Sequence, residues 1–331
     1  MTYNVYEEAT ASDPTYGGTT KIAYGGKGSG KSVLLIRWLV EALQRHETAI
    51  WRARYTDTWN VFAQAKGTQL LVPLGSDVEL LLAPIASKKG SAVPVLPEDV
   101  GRGLSVAGYT SAEDAVRLLR TGTANIIATP FIRQEHEVIF WTAFAFYLVR
   151  RPDLSFVHFT IDEIDEIFSP YPPWSLYDYY MRFRDAFRDF RKTRVQFSAS
   201  AHIYSDVDYR IENKFRYRAY LEGAMVKTTR AVVKQRYVNA LGKWEGIMES
   251  NRYQHFEFGP IPEAFRPSDM IITRIRPAVQ DEAQPQPSAE LPADTRRRVV
   301  CPKCGRAVYT RMPTGERVQC SNLECRLKFS A

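Results

Sequence analysis

Eight consecutive residues decide the predicted fold of this chain, and they read Gly25-Gly26-Lys27-Gly28-Ser29-Gly30-Lys31-Ser32. They match the pattern G-x-x-x-x-G-K-[ST], in which backbone N–H groups surround the phosphates of a nucleotide. The preceding run Thr20–Tyr24 has strand character, and Ser32–Gln44 carries apolar residues at helical spacing. A glycine-rich turn can match by accident, but the flanking strand and helix are the context that the motif needs. We therefore expect ATP at this loop, with Lys31 on the β- and γ-phosphates and Ser32 on Mg²⁺.

The rest of the chain continues an α/β pattern, which predicts a P-loop NTPase fold with a mainly parallel central sheet. The predicted strands are Thr48–Trp51, Ala124–Thr129, Phe156–Ile161 and Arg194–Ser200, and the predicted helices are Ile132–Arg150 and Leu176–Phe190. Residues 65–123 contain several prolines and glycines, which indicates short strands and loops inserted into the sheet domain. Beyond this, an antiparallel extension is predicted from three short runs: Phe215–Leu221, Ala231–Val238 and Tyr253–Phe258.

A pair of carboxylates, Asp162 and Glu163, follows the predicted strand Phe156–Ile161. A nucleotide loop of this type needs a second acid at the end of a buried strand to hold the metal. We expect Asp162 to bind Mg²⁺ through water and Glu163 to polarise the attacking water. Asp165 and Glu166 are the competing pair, and they suit the first turn of a helix, where negative charge favours the helix dipole. The adjacent acids favour ATP hydrolysis over phosphoryl transfer to a small molecule.

Polar side chains also end the next predicted strand. Ser200 is the candidate for sensing the γ-phosphate, with Ser198 and His202 behind it, and an ordinary strand end is the alternative. P-loop motors also take an arginine from a neighbouring subunit to stabilise charge in the transition state. The candidates for that arginine are Arg52, Arg54, Arg210, Arg216 and Arg218. The sequence does not choose among them.

With these motifs together, the chain resembles the additional-strand P-loop ATPases of the HerA–FtsK superfamily. Within that superfamily it is similar to viral genome-packaging ATPases and to zonula-occludens-toxin-like phage assembly ATPases. The loop Gly25–Ser32 also resembles that of terminase large subunits, and Ser205–Tyr220 is similar to the polar loop and basic strand after the sensor strand. One departure is the sensor strand itself, where members commonly carry glutamine and this chain has serine and histidine. The resemblance implies a closed ring, often a hexamer, that couples ATP hydrolysis to the movement of double-stranded DNA.

The four cysteines form a separate motif, Cys301-Pro-Lys-Cys304 followed by Cys320-Ser-Asn-Leu-Glu-Cys325. Two thiolate pairs on such turns make a tetrahedral site that suits structural Zn²⁺, and the spacing resembles that of zinc ribbons. A redox pair or a disulfide is the alternative. A module this small buries too little surface to fold without the metal. Its basic residues favour nucleic acid slightly over a protein partner such as a capsid or portal component.

The length and composition of the chain limit the classes of protein to which it can belong. The chain has 331 residues, of which 45% are hydrophobic and 24% charged, as is typical of a soluble globular protein. The longest nearly apolar run, Val138–Val149, is shorter than the roughly 20 residues that span a membrane. The first residues have no signal-peptide pattern, and the cysteines are not spread as in a secreted disulfide-rich protein. We therefore expect no membrane span and a cytoplasmic location, in the host cell if the chain is viral.

Three segments are predicted: residues 1–276 as the ATPase domain, 277–295 as a proline-rich linker and 296–331 as the zinc ribbon. The net charge is +7, and two stretches concentrate it. From Arg182 to Arg218 ten residues are basic and five acidic, and from Arg296 to Lys328 nine are basic and two acidic. Such clusters neutralise phosphates, although a solvated helix face with ordinary ion pairs has the same composition.

Three functions follow from these features. The first is a DNA-translocating ATPase, most simply one that packages a viral genome with double-stranded DNA as its partner. The second is a motor for conjugation or virion extrusion. The third, from another class, is a zinc-ribbon regulator that binds nucleic acid and uses the nucleotide as a switch. Glu163 discriminates between motor and switch, because a slow switch needs no residue that activates water.

Overall fold

The structure is a computed structural model, and it describes residues 18–53, 58–84, 92–130, 133–151, 153–154, 156–226, 232–250, 252–266, 269–276, 297–300, 302–303, 307–310, 317–319 and 328–330. The chain divides into two compact units, Met1–Ser288 and Ala289–Ala331. Among the described residues, no helix combines the length and the apolar composition that crossing a bilayer requires.

Thirteen strands are described in the first unit. In chain order they are β1 (Thr20–Tyr24), β2 (Thr48–Ala53), β3 (Gln69–Pro73), β4 (Asp77–Pro84), β5 (Val93–Val95), β6 (Ser105–Tyr109), β7 (Ala124–Ala128), β8 (Val157–Ile161), β9 (Val195–Ala201), β10 (Tyr217–Leu221), β11 (Glu245–Glu249), β12 (Tyr253–Glu257) and β13 (Asp269–Arg276). Ten of them form one sheet in the order β12-β11-β10-β1-β9-β8-β2-β7-β3-β6. The eight strands from β10 to the edge strand β6 are parallel to one another. At the other edge, β11 and β12 pair antiparallel.

The described helices are α1 (Lys31–Gln44), α2 (Ala112–Arg117), α3 (Gln134–Leu148), α4 (Tyr177–Lys192), α5 (Tyr209–Glu212) and α6 (Gln235–Val238). Helix α1 buries Leu34, Leu35 and Trp38, which explains its apolar spacing. Helix α3 is apolar on nearly all sides because it is covered on nearly all sides, whereas α4 is amphipathic and buries one aromatic face. Aromatic rings fill the space between these helices and the sheet, with Phe159 in contact with Trp141 at 5.6 Å between ring centroids.

The register of three strands brings their carboxyl ends together. Strand β9 lies between β1 and β8, with Tyr24 opposite Ala201 and Ile161 opposite Ala199. Because the three strands are parallel, the residues that follow each of them emerge at the same edge of the sheet. In open α/β sheets that edge is where ligands bind.

Most of the predicted strands and helices of the central sheet are confirmed within a few residues. The strand predicted at Ala231–Val238 is wrong, because its described part holds the single-turn helix α6. Gln235 explains the difference: its side chain donates to the Ala224 carbonyl oxygen and accepts from the Val226 N–H, which fixes a turn instead of a strand ladder. Strands β11 and β13 were not predicted.

Residues 65–123, expected to be an insertion, contribute to two sheets. Strands β3 and β6 extend the parallel sheet at the edge beyond β7. Strand β4 pairs antiparallel with β5 and, over its whole length, with β13 in a separate three-stranded sheet. The described residues of the second unit form two antiparallel strand pairs, β14 (Arg297–Val300) with β15 (Ala307–Thr310) and β16 (Arg317–Gln319) with β17 (Lys328–Ser330). All four cysteines assigned to zinc, Cys301, Cys304, Cys320 and Cys325, lie outside the described residues.

Candidate nucleotide-binding and catalytic site

The glycine-rich loop lies between β1 and α1, as its motif requires. Gly28 and Gly30 have φ angles of 82° and 93°, in the left-handed region that glycine adopts without strain. A Cβ on Gly30 would also lie 3.0 Å from the ring of Phe258. These two positions therefore need glycine to carry the chain from the strand into the helix.

The start of α1 has the features of an anion site. The N-cap residue, Gly30, has no side chain to cap the helix, and the first turn holds no acid, so no residue of that turn competes with an anion for its N–H groups. Ser29 is buried, and its Oγ has no hydrogen-bond partner among the described residues. Gly25 is buried, Gly26 and Ser32 are half-buried, and Lys27 and Gly28 are exposed. A buried hydroxyl without a partner beside uncapped N–H groups fits a bound phosphate.

Lys31 is 7% exposed and points back over the loop. Its Nζ donates to the carbonyl oxygens of Gly25 at 2.8 Å and Gly26 at 3.1 Å. Burial lowers the pKa of Lys31, and the nearby carboxylates of Asp162, Glu163 and Asp165 oppose that shift. The ammonium group and the acids after β8 therefore share one site.

Asp162 and Glu163 follow β8 directly, and Ser200 connects them. Ser200 is fully buried; its Oγ donates to Asp162 Oδ1 and accepts the Glu163 backbone N–H at 2.9 Å. Glu163 itself has a φ of 52°, a left-handed conformation that is uncommon for a residue with a side chain. The structure thus brings the three predicted residues together, with Ser200 of β9 bound to the turn that Asp162 and Glu163 form.

The competing acids lie just beyond this turn. Ile164–Glu166 form a short 3₁₀ helix, close to the helical turn that the sequence predicts for them. Asp165 Oδ2 accepts the backbone N–H of His202 at 3.5 Å, and burial raises the pKa of Asp165. Glu166 is exposed.

His202, ranked behind Ser200 as a sensor, contacts both halves of the site. Its Nδ1 lies 3.4 Å from Lys31 Nζ, and its Nε2 lies 3.8 Å from a carboxylate oxygen of Glu163. The side chain is 46% exposed, whereas Ser200 is fully buried. His202 is thus more accessible than Ser200 to a bound nucleotide.

A buried ion pair supports the turn from the side of β2. Arg52 is 3% exposed; its Nη1 donates to the carbonyl oxygen of Asp162 at 3.1 Å, and its Nη2 donates to Glu137 Oε2 at 2.6 Å. Thr129 holds the other oxygen of Glu137 at 2.9 Å. Sequence reasoning missed Glu137 and Thr129. The signal for Glu137 was its place, with Glu135, in the first turn of a mostly apolar helix.

The five arginines proposed for a neighbouring active site have different environments. Arg52 is buried in the network just described, which makes it unsuitable to reach another subunit. Arg210 pairs with the buried Asp208, and Arg218 pairs with the buried Glu212 at 2.7 Å. Arg216 is exposed at the amino end of β10, and Arg54 lies outside the described residues.

Neither a protein-family model nor a curated protein sequence matches this chain. Among solved structures, VirB4 of Thermoanaerobacter pseudethanolicus is similar with a TM-score of 0.50 and 8% identity, over 75% of this chain and 91% of that one. The bacterial conjugative coupling protein TrwBdeltaN70 has a TM-score of 0.49 and 12% identity, over 79% of this chain and 88% of that one. The genome packaging NTPase B204 from Sulfolobus turreted icosahedral virus 2, in complex with sulfate, has a TM-score of 0.46 and 12% identity, over 74% and 98%. At such identities the similarity to VirB4 shows a shared fold, and the mainly parallel sheet with its glycine-rich loop fits a P-loop NTPase.

Proposed function

We propose that this chain is an ATPase motor that moves double-stranded DNA, most simply a viral genome-packaging ATPase. The observation that carries the ATPase part is one arrangement of side chains. Lys31, Asp162 and Glu163 meet at the carboxyl ends of β1 and β8, and Ser200 of β9 joins the two acids. Hydrolysis of a phosphoanhydride requires a cation that binds the phosphates, an acid that holds the metal and a second acid that activates water.

Nucleotide binding is assigned to the loop and to the start of α1. The N–H groups between Lys27 and Ser32 are assigned to the β-phosphate, except that of Ser29, which donates to the Gly26 carbonyl oxygen. The Ser29 hydroxyl supplies a donor that has no partner among the described residues. Lys31 transfers its hydrogen bonds from the loop carbonyl oxygens to the β- and γ-phosphates. Because Lys31 is nearly buried, its charge acts through a low dielectric and is worth more than a surface lysine.

The metal ligands are Ser32 and Asp162. Mg²⁺, when bound with the nucleotide, neutralises charge on the β- and γ-phosphates. Asp162 fits this role because its carboxylate is buried, with one oxygen oriented by the Ser200 hydroxyl. A carboxylate held in place loses little conformational entropy on binding a cation.

Glu163 is the group that takes a proton from the attacking water. The Ser200 hydroxyl holds its backbone N–H, and Arg52 holds the carbonyl oxygen of the preceding Asp162. The backbone of the left-handed turn is therefore held on both sides, which limits the positions that the Glu163 carboxylate can take towards a bound nucleotide. Ser200 is the proposed sensor of the γ-phosphate, because it is bonded to the turn that carries Glu163. His202 is the alternative sensor, because it lies close to both Lys31 and Glu163.

The DNA part of the proposal rests on charge and on the family resemblance. A ring of identical subunits needs a head-to-tail interface that closes, and such an interface lets an arginine of one subunit complete the site of the next. Of the four candidates that the structure describes, Arg216 is the one not paired with a buried carboxylate, and Arg54, outside the described residues, stays a candidate. The strand order, with β9 between β1 and β8, supports the additional-strand class. A conjugation or extrusion motor is the alternative.

The C-terminal module is proposed as a Cys₄ zinc ribbon that docks on nucleic acid or on a capsid or portal protein. The proposal rests on the spacing of Cys301, Cys304, Cys320 and Cys325. Ala289, where the second compact unit begins, lies inside the predicted linker 277–295, which supports an independent module. We also propose a cytoplasmic location, in the host cell for a viral protein.

The test is the rate of ATP hydrolysis with and without double-stranded DNA, measured for the wild type, Glu163→Gln and Asp165→Asn. We expect DNA to raise the wild-type rate. Glu163→Gln should bind ATP but hydrolyse it about 10²- to 10⁴-fold more slowly, because only water activation is removed. Asp165→Asn should lose much less. Wild-type turnover in Glu163→Gln would move the role to Asp165 or Glu166, and a rate indifferent to DNA would favour the nucleotide-switch regulator.

A further inference from the structure

A groove of about 670 Å³ lies at the amino ends of β1 and β10, beside α4. Five cations line it, Arg184, Arg188, Arg191, Lys214 and Arg216, together with one acid, Asp185. The strands are parallel, so this groove and the glycine-rich loop occupy opposite ends of β1. None of the residues assigned to the ATP site of the same subunit lines the groove.

Three of the cations form a stripe on α4. Arg184, Arg188 and Arg191 are four and three positions apart, which places them on one face of a helix. The stripe is about 10 Å long at 1.5 Å per residue, and it spans about three phosphates of one B-DNA strand at 3.4 Å each along the axis. The stripe therefore fits a row of phosphates, whereas a single small anion would leave part of it unused.

The other wall of the groove is held rigidly by Thr20. Its hydroxyl donates to the carbonyl oxygen of Lys214 at 2.9 Å and accepts the backbone N–H of Arg216 at 3.1 Å. The same N–H also lies 3.0 Å from the Thr20 carbonyl oxygen. The two cations are thus carried by a backbone that is fixed to the start of β1.

The floor of the groove is closely packed as well. Gly18 donates its N–H to the carbonyl oxygen of Arg191 at 3.1 Å. A Cβ on Gly18 would lie 1.9 Å from the carbonyl oxygen of Val195, so the chain passes at a distance that only glycine allows. The wall, the floor and the end of α4 are therefore joined into one surface.

Charge in the groove is only partly compensated. Arg184 pairs with Asp185 at 2.7 Å, and Arg188 lies 3.9 Å from Asp189. Arg191, Lys214 and Arg216 are exposed and have no ion pair within the part of the chain that the structure describes. Exposed, unpaired cations on a rigid surface are expected to attract a polyanion and to release counterions when it binds.

We propose that this groove binds the phosphate backbone of duplex DNA, at the end of the sheet opposite to the nucleotide. The proposal deepens the proposed DNA motor and takes its choice of polyanion from it. Because most of the charged side chains that line the groove are cations, we expect it to contact phosphates, which carry no sequence information. An acidic surface of a second copy of this chain is the competing occupant, and the test separates the two.

The experiment measures binding of a fluorescent 30-base-pair duplex to the full chain, without ATP, between 50 and 300 mM salt. The variant Arg191→Gln/Lys214→Gln/Arg216→Gln removes the three unpaired cations. We expect its affinity to fall about 10- to 100-fold at 0.1 M salt, and the slope of log K against log salt to become shallower by about 2.7. The variant Arg191→Lys/Arg216→Lys retains the charges and should keep the wild-type slope.

The matched control is Lys66→Gln/Arg102→Gln/Arg252→Gln, which removes three exposed cations elsewhere. Its slope should stay close to that of the wild type, and circular dichroism checks that all variants fold. An equal loss in both triple variants would show an effect of net charge and overturn the groove. Unchanged DNA affinity with loss of oligomers in light scattering would assign the groove to a second copy.

The two proposals fail separately. A groove variant that binds DNA like the wild type overturns the groove and leaves the motor in place. Groove-dependent binding by a chain whose ATP hydrolysis ignores DNA supports the groove and overturns the motor. A wild-type chain that binds no duplex at any salt overturns both.

Discussion

Charged groups at the two ends of β1 lie in opposite environments, buried at one end and exposed to solvent at the other. At the carboxyl end, Lys31, Asp162 and Ser200 are each less than 10% exposed; Ser200 donates a hydrogen bond to Asp162, and Lys31 donates to the Gly25 carbonyl oxygen. At the amino end, Arg191 and Arg216 are exposed and have no ion pair within the described residues. One strand of five residues separates the two.

The difference lies in how each end responds to the loss of one group. A buried, mutually bonded set loses most of its function when one member is removed, since the others are left without partners. Exposed cations act nearly independently, so each removal subtracts a similar, salt-dependent amount. The carboxyl end is suited to charge that changes during a reaction, and the amino end to a large ligand that remains hydrated.

Lys31→Ala should give the largest effect. Removing the buried ammonium leaves the phosphates and the nearby acids without a cation, so ATP binding and hydrolysis should be lost together, by at least about 100-fold. Titration with a fluorescent ATP analogue and a phosphate-release assay measure the two. The exposed Lys66→Ala is the control. Retention of tight ATP binding in Lys31→Ala would contradict the role assigned to the loop.

Acid pH should destabilise the fold, because one titratable group at the amino ends of the parallel strands is buried. His158 of β8 is fully buried beside Glu47, and burial lowers its pKa to about 4 despite that carboxylate. The unfolded chain binds the proton near pH 6.5 and the folded chain only near 4. The contribution of His158 to the free energy of unfolding is therefore fully present above pH 6.5. It falls by about 3 kcal/mol as the pH drops towards 4.

Urea unfolding at pH 7.5, 6.5, 5.5 and 4.5 measures this slope, with His158→Gln as the comparison. The variant should be less stable at pH 7.5 but should lose less stability between pH 6.5 and 4.5 than the wild type. Parallel curves for the two proteins would show that another group causes the acid sensitivity.

Glu137→Gln should have a smaller, kinetic effect. The amide keeps the shape of the side chain but removes the charge that holds Arg52, so the Asp162 carbonyl oxygen and the turn at Glu163 are held less firmly. We expect kcat to fall about 10-fold with the KM for ATP within about 2-fold, because positioning is affected and not binding. Glu135→Gln, exposed on the same helix, is the control. A rise in KM without a change in kcat would assign Glu137 to nucleotide binding instead.

Arg216→Gln alone should have the smallest effect, measured on DNA binding without ATP. One cation fewer at the amino end should make the salt slope of DNA binding shallower by about 0.9. Arg252→Gln is the matched exposed control. A loss as large as that of the triple variant would mean that the groove cations act as a linked set, which would erase the distinction between the two ends.

The central sheet and the nucleotide loop were predictable because they depend on local patterns. Apolar runs with glycine between them predicted β1, α1, β8 and β9, and the order of the motifs predicted that Lys31 and Asp162 would meet. The pairing of β4 with β13 was not predictable, because it joins residues nearly 200 positions apart and neither run carries a signal for the other.

The support behind the site was hidden for the same reason. Arg52 looked like a residue for a neighbouring subunit, since only its position after β2 was visible in the sequence. Its burial depends on Glu137, which belongs to a helix 85 residues further on. Likewise, the basic residues of Arg182–Arg218 could be counted, but only the fold separates Arg210 and Arg218, which pair with buried acids, from the cations that line the groove.

The position of β1 in the sheet has a consequence for folding during synthesis on the ribosome. Its neighbours β9 and β10 come from far along the chain, with Thr20 opposite Phe197 and Lys21 opposite Tyr217. A ribosome that adds about 5–20 residues per second needs roughly 10–40 s to deliver them after β1 has been made. Until then β1 has neither of its strand partners, and the glycine-rich loop has no opposing acids. The part of the site that is synthesised first is therefore the part that is completed last, and a truncated chain would carry the motif without the means to use it.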